Sequence, residues 1–450
     1  MRRPALFGAA VAALLAPDAA YGHGLVQRAN LPLPEWLFGW TAAVVLVVSF
    51  AALGMLWSRP RLETDEWHPL PFGIDKALGS TAVEVAAGAF GVLLLVTTIA
   101  AGFAGPPDPL SNFAPVFVLI VFWVGMAFAS VLFGDLFRAF NPWRAAARLV
   151  INGDRRPYPE RFGVWPAALG LLSFTWIELA SGWGEHPARL ATAATAYSLL
   201  TWAGMAYFGV ETWSRRGETF SVYFNLLSRL SVFEKRGDEV GRRPLLSGLP
   251  RLDRVPGTVG FILVMIGTVT FDGLSQGALW RSLSGGADGV AADTIGLLLG
   301  VALVASFYRL GMLGARSVGG GFDAQTLARA FVHSLVPIAA VYVAAHYLTF
   351  LVFEGQAIRY TAADPLGQGW DLFGWASAGI NYGVLSQNMA WYLQVGLVVL
   401  GHVAALVLAH DRALSLYGQA GLAVRSQYWM LGIMIGFTSM ALWLLAQAGT

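Results

Sequence analysis

Cysteine is absent from the 450 residues, which removes disulfides, thiolate zinc sites, iron–sulfur clusters and thiol nucleophiles from the available chemistry. Charge is scarce too: 12% of residues are Asp, Glu, Lys or Arg, about half of the roughly 25% usual in soluble domains. Also missing are the phrases that carry nucleotide binding or hydrolysis in soluble enzymes. There is no GxxxxGK[ST], no GxGxxG opening a helix after a strand, no HExxH, no GxSxG and no HxH pair. A barrel-type metallo-phosphotriesterase is excluded because the composition supplies no soluble strand-and-helix repeat. No nucleic-acid module is present either.

What the chain has in abundance is apolar sequence, at 56% of residues with a mean hydropathy of +0.59. Its apolar runs of about 20 residues are too long and too many for the core helices of a soluble protein. The expected fold is all-α, a polytopic transmembrane helical bundle in contact with the lipid bilayer. Arg2 and Arg3, the apolar stretch Ala5 to Leu15 and the small residues Ala20-Tyr21-Gly22 read as a cleavable signal peptide over 1–22. Residues 23–450 then form a single membrane domain. Ten spans are expected, at about 35–57, 81–103, 113–134, 164–182, 190–210, 256–276, 293–312, 327–352, 389–410 and 427–447, each long enough to cross hydrocarbon about 30 Å thick.

Basic residues orient this arrangement. Of the 29 Lys and Arg residues, two lie in the signal, four (Arg28, Arg189, Arg281, Arg359) fall outside, and the other 23 fall in cytoplasmic loops and helix ends. The expectation is an inner-membrane, multi-pass protein with both mature termini extracytoplasmic. Two cytoplasmic segments, Asp135 to Val150 and Thr219 to Phe233, carry apolar residues at helical spacing and read as interfacial helices. The segment 353–388 is long for an idle connection and reads as an extracytoplasmic lid.

A charge in hydrocarbon costs at least about 2.5 to 3.5 kcal/mol, so ionisable residues within spans need partners, water, metal or a neutral form. Near the cytoplasmic face lie Glu84, Asp135, Glu211, Arg309 and the pair His410-Asp411; nearer the outside lie Glu178, Asp272, His346, Gln394 and Glu354. His346 with Asp272 or Glu178 is the candidate catalytic site. His333 and His402 stand at matching depths, about 9 and 12 Å from the inner ends of their helices, and form a deeper candidate pair. Metal ligation by His346, His402 and His333 is the corresponding expectation, with a divalent ion such as Zn or Cu, or heme on the deeper pair. His23, as a mature N-terminus, offers an amine and an imidazole to copper.

The phrases HGLVQRANLPLPEWLFGW, FGDLFRAFNPWRA, AHYLTFLVFEGQ, DPLGQGWDLFG and WYLQVGLVVLGHVAALVLAHDRAL resemble the fenitrothion hydrolase family of bacterial integral-membrane proteins, over essentially the whole mature chain. The resemblance implies hydrolysis of a small apolar organophosphorus triester to a phenol and a dialkyl thiophosphate, with a second membrane subunit as partner. It carries over no catalytic residues. A metal-bound water of lowered pKa would suit that attack. Two other readings of the residues stay open: a proton- or metal-coupled transporter, and a heme- or copper-binding membrane subunit using His333 and His402.

Overall fold

The computed structural model describes residues 35–447, except 152–154, 276 and 287–288. The expected signal peptide and His23 lie outside the described residues. The chain is an all-α helical bundle. Its long helices are α1 (Glu35–Leu56), α2 (Thr81–Ala104), α3 (Phe113–Phe133), α5 (Trp165–Leu179), α6 (Pro187–Phe208), α9 (Thr258–Ser275), α10 (Val290–Ser317), α11 (Ala324–Val352), α12 (Gln387–Tyr417) and α13 (Tyr428–Gln447). Between them run the shorter α4 (Pro142–Val150), α7 (Val210–Arg216) and α8 (Thr219–Ser228). By length and composition eight helices can cross a membrane, namely α1, α2, α3, α5, α9, α10, α11 and α12, which makes this a multi-pass membrane protein. The other two expected spans are present as helices of 22 and 20 residues, α6 and α13.

Polar side chains define where helices begin. Asn112 caps α3 by accepting from Ala114 N–H at 2.8 Å, while its amide donates to the carbonyls of Ala101 and Pro106 and ties off the turn after α2. Asn141 caps α4, Glu218 caps α8, Asp323 caps α11 and Ser386 caps α12, each satisfying amides that the first helical turn leaves unpaired. Within α3, Val116–Gly125 is wound as a π-helix, ending where Met126 N–H bonds Val121 O. Such segments are rare and concentrate at functional sites.

The helix α9 is the axis of the bundle. Every residue from Phe261 to Gly273 is buried, as expected of a helix that is apolar all round. It packs on α5, α10 and α11. Gly267 and Gly300 let α9 and α10 approach closely: a Cβ on Gly267 would stand 2.4 Å from Val301 Cα, and one on Gly300 would stand 2.7 Å from Gly267 O. Small residues at such crossings are how helices gain packing in lipid, where no hydrophobic effect drives them together.

Two expectations change. The segment Thr219 to Phe233 is not interfacial. Its helix α8 enters the bundle, with Tyr223 buried against Trp123, Phe224 against Phe137, and Phe220 against Phe174, because an aromatic face of this size finds a better solvent in the ring cluster than in headgroups. Beyond it a small sheet appears that the helical reading did not anticipate, with β1 (His68–Pro69), β2 (Phe233–Arg236) and β3 (Glu239–Arg242) in the order β1-β3-β2. Gly237, at φ +58°, makes the tight β2–β3 turn. Burial lowers the Arg243 guanidinium beside this sheet to about 10, against the pull of Glu234. In the segment 353–388, the turn Glu354–Ala357 and helix Ile358–Ala363 pack onto α3 and α11. Farther along, Trp370, Phe373 and Trp375 remain exposed.

Candidate functional site

The C-terminal turns of α5 and α9 and the second half of α11 converge at one end of the bundle. The helix α9 supplies Asp272, α11 supplies His346 and Tyr347, and α5 supplies Glu178; all four are buried. His346 Nε2 lies 2.7 Å from Asp272 Oδ2, and the Tyr347 hydroxyl donates to the same oxygen at 2.7 Å. With Asp272 as acceptor, Nε2 of His346 carries the proton and Nδ1 carries the lone pair. Two side chains from consecutive positions of α11 thus clamp one carboxylate of α9.

Glu178 stands beside this clamp, near enough to Asp272 for their charges to interact. Both of its carboxyl oxygens are buried and neither has a hydrogen-bond partner among the described residues. Around it lie Tyr347 and Tyr223, each within range of its charge. The Tyr223 hydroxyl and the Trp123 indole N–H are also buried without partners. Trp123, from the π-helical part of α3, stacks on Tyr223 at 4.5 Å between ring centroids and meets Phe174 at 4.7 Å. The result is a buried polar cluster bordered by aromatic rings, in which one carboxylate is engaged and the other is not. Buried polar atoms rarely go unsatisfied in native proteins, and the exceptions mark places where water, a proton or a substrate group completes the bonding.

The structure therefore brings His346, Asp272 and Glu178 together. It does so as a hydrogen-bonded dyad with an adjacent acid: among the described residues no three of His, Asp or Glu form a group able to hold a metal ion. The remaining expected ligands lie elsewhere. His402 is buried, its Nδ1–H donating to Val398 O at 2.7 Å and its Nε2 unpartnered. It lines a small apolar cavity of about 80 Å³ together with Ile338, Leu406 and Met430. His333 sits in the tight turn Val332–Leu335 of α11 with neither ring nitrogen bonded. Its charged neighbours are Arg254 and Arg412, surroundings that repel a cation.

At the opposite end of the bundle the polar residues have a structural explanation. Arg144 on α4 is buried and donates to Glu84 of α2 at 2.6 Å and to Glu211 of α7 at 2.9 Å; Arg148 repeats both contacts at 2.5 and 2.6 Å. Burial raises the Glu211 carboxyl, but the two guanidiniums outweigh it and hold the group below the usual carboxylate range. The pair His410-Asp411 anchors the chain leaving α1: Asp411 accepts from Trp57 Nε1, Arg61 N and Leu62 N, while His410 Nε2 donates to Trp57 O and its Nδ1 accepts from Gln427.

Tyr347, Tyr223 and Trp123 are the site residues that sequence reasoning missed. Tyr347 was legible as the neighbour of His346. Tyr223 was hidden because α8 read as a surface helix, and Trp123 because one aromatic in an apolar span carries no signal of its own. No protein-family model, curated protein or solved structure matches this chain.

Proposed function

We propose that the chain is a membrane-embedded hydrolase of small, neutral organophosphorus triesters, with the His346–Asp272 dyad as its acid–base centre. The observation that carries this reading is the 2.7 Å contact between His346 Nε2 and Asp272, with Tyr347 fixing the same carboxylate. A base oriented by a carboxylate is the arrangement that lets an imidazole take a proton from an attacking water. In this reading His346 Nδ1 accepts that proton, Asp272 stabilises the imidazolium, and the phosphorus–phenolate bond breaks as the phosphorus–oxygen bond to water forms. Glu178, with Tyr223 and Trp123 around it, positions the water or returns a proton to the leaving phenolate. An apolar triester partitions into lipid and reaches such a site laterally. The sequence phrases that resemble fenitrothion hydrolases point to the same reaction.

A second reading rests on Glu178 itself. A buried acid with both oxygens unpartnered, inside a multi-pass bundle, is also the arrangement of a proton-coupled carrier. The two readings separate in one pair of experiments on the purified full chain. Release of a phenol from fenitrothion, abolished in His346→Ala, supports the hydrolase. Proton-gradient-dependent flux in proteoliposomes, lost in Glu178→Gln without any phenol release, supports the carrier. We assign the protein to the bacterial inner membrane, with ten crossings and both mature ends outside, from the 23 to 4 partition of basic residues. Reactivity of single cysteines placed at 60 and 380 toward a membrane-impermeant thiol reagent in intact cells tests that orientation, with labelling expected only at 380.

A further inference from the structure

A cavity of about 840 Å³ lies at the end of the bundle away from the dyad. Its lining combines half-buried apolar side chains, Val222, Leu252 and Val255, with arginines. Four of these, Arg215, Arg216, Arg229 and Arg254, make no ion pair within 4 Å among the described residues, and Arg215, exposed, donates to the carbonyl of Glu211. Arg229 is held by the carbonyls of Gly248 and Arg251, and Arg254 by the carbonyl of Pro250. Backbone carbonyls fix a guanidinium in place without cancelling its charge. Nε of both Arg229 and Arg254 is buried and has no partner.

The acids of the same cavity offset these charges only in part: six arginines line it against four acids, and of the four arginines without an ion pair Arg229 feels Asp253, Glu234 and Asp135. Glu211 is already engaged by Arg144 and Arg148, and Glu160 and Asp253 sit exposed at the rim. Asp135 accepts from the Asn225 amide at 2.7 Å. Burial also pushes its carboxyl above the usual range, against the pull of Asn225, Arg138 and Arg229. What remains is an excess of positive charge on preset donors beside apolar lining residues.

We infer that this cavity is a binding site for a phosphate-bearing amphiphile, held by Arg216, Arg229 and Arg254 with its apolar part against Val222, Leu252 and Val255. Guanidinium groups match phosphate oxygens in geometry and charge. The inference is independent of the hydrolase reading, because it uses none of the same residues. The phosphate comes either from a lipid headgroup or from a free phosphorylated molecule, and the test distinguishes them.

The full chain is placed in phosphatidylcholine nanodiscs and titrated with phenyl phosphate, following binding and thermal stability. A parallel set contains phosphatidylglycerol. Stabilisation by phenyl phosphate in the phosphatidylcholine discs identifies a free anion as ligand. Stabilisation by phosphatidylglycerol that competes with phenyl phosphate identifies the lipid. In either case Arg254→Gln and Arg216→Gln each weaken binding about tenfold. Arg216 makes no hydrogen bond in the described structure, so that variant keeps the test valid where Arg254→Gln fails to fold. The inference is overturned if neither probe stabilises the protein, if both variants bind as the parent does, or if uncharged phenol binds as tightly as phenyl phosphate.

Discussion

The two ends of the bundle treat carboxylates within the helices in opposite ways. At one end the half-buried Glu84 and Glu211 share two arginines, each contact within 3 Å. At the other, Asp272 is answered by an imidazole and a phenol, while Glu178 has no bonded partner among the described residues. The first arrangement is closed: it locks α2, α4 and α7 together and leaves no capacity for chemistry. The second is open, held by groups that themselves gain and lose protons. Removing a member of the closed network should therefore cost stability, whereas removing a member of the open one should cost function.

The largest effect belongs to the open end. Asp272→Asn keeps the shape of the site but removes the carboxylate that orients and stabilises the His346 imidazolium, and we expect phenol release to fall by about 10²- to 10⁴-fold, measured as initial rates in nanodiscs. Arg144→Ala should be next, lowering the unfolding free energy by about 2–4 kcal/mol. It removes the buried one of the two arginines that Glu84 and Glu211 share and leaves both to Arg148, with a discount because Glu211 is partly exposed; chemical denaturation in detergent checks this. Gly267→Ala sharpens the comparison by acting on the scaffold between the ends. Its Cβ must push Val301 backbone away, and we expect about 1–3 kcal/mol of destabilisation. Glu178→Gln should run the other way, raising stability by about 1 kcal/mol while impairing activity, since it removes an unpaired buried acid; a matched thermal scan and rate measurement decides it.

The smallest effect is in pH. The carboxyl of Glu211 is depressed in the folded state below its ordinary value of 4.5, so the folded protein binds this proton later than the unfolded chain does. Its contribution to stability is present above about pH 4.5 and is lost as pH falls through the depressed folded value. The stability gap between parent and Glu211→Gln should be constant near neutrality and close under acid.

Much of this was legible beforehand. Apolar run length and the shortage of charge gave the helical bundle, and the rule that charge in lipid must be compensated singled out Asp272, His346 and Glu178 before their contact was known. The arginine partners of Glu84 and Glu211 were not legible, because pairing across α2, α4 and α7 depends on how three helices turn about their axes. Nor was α8. Phe220, Tyr223, Phe224 and Leu227 have the spacing of an interfacial helix, and only the presence of Trp123, Phe137 and Phe174 across from them decides that they are buried. The hairpin at Gly237 was concealed by its charge, since KRGDEVGR reads as loop in a helical protein. For His333 and His402, equal depth suggested a pair, but depth alone leaves rotation free. His402 is committed to Val398 O and His333 faces two arginines.

The central claim is that the Asp272–His346 dyad is a working acid–base centre, and the most direct measurement is phenol release from fenitrothion by the purified full chain in nanodiscs, compared with His346→Ala and Asp272→Asn. The account predicts turnover by the parent and its loss in both variants, with thermal midpoints that remain cooperative and show the variants to be folded. Turnover unchanged in either folded variant, or no turnover by the parent, would contradict it.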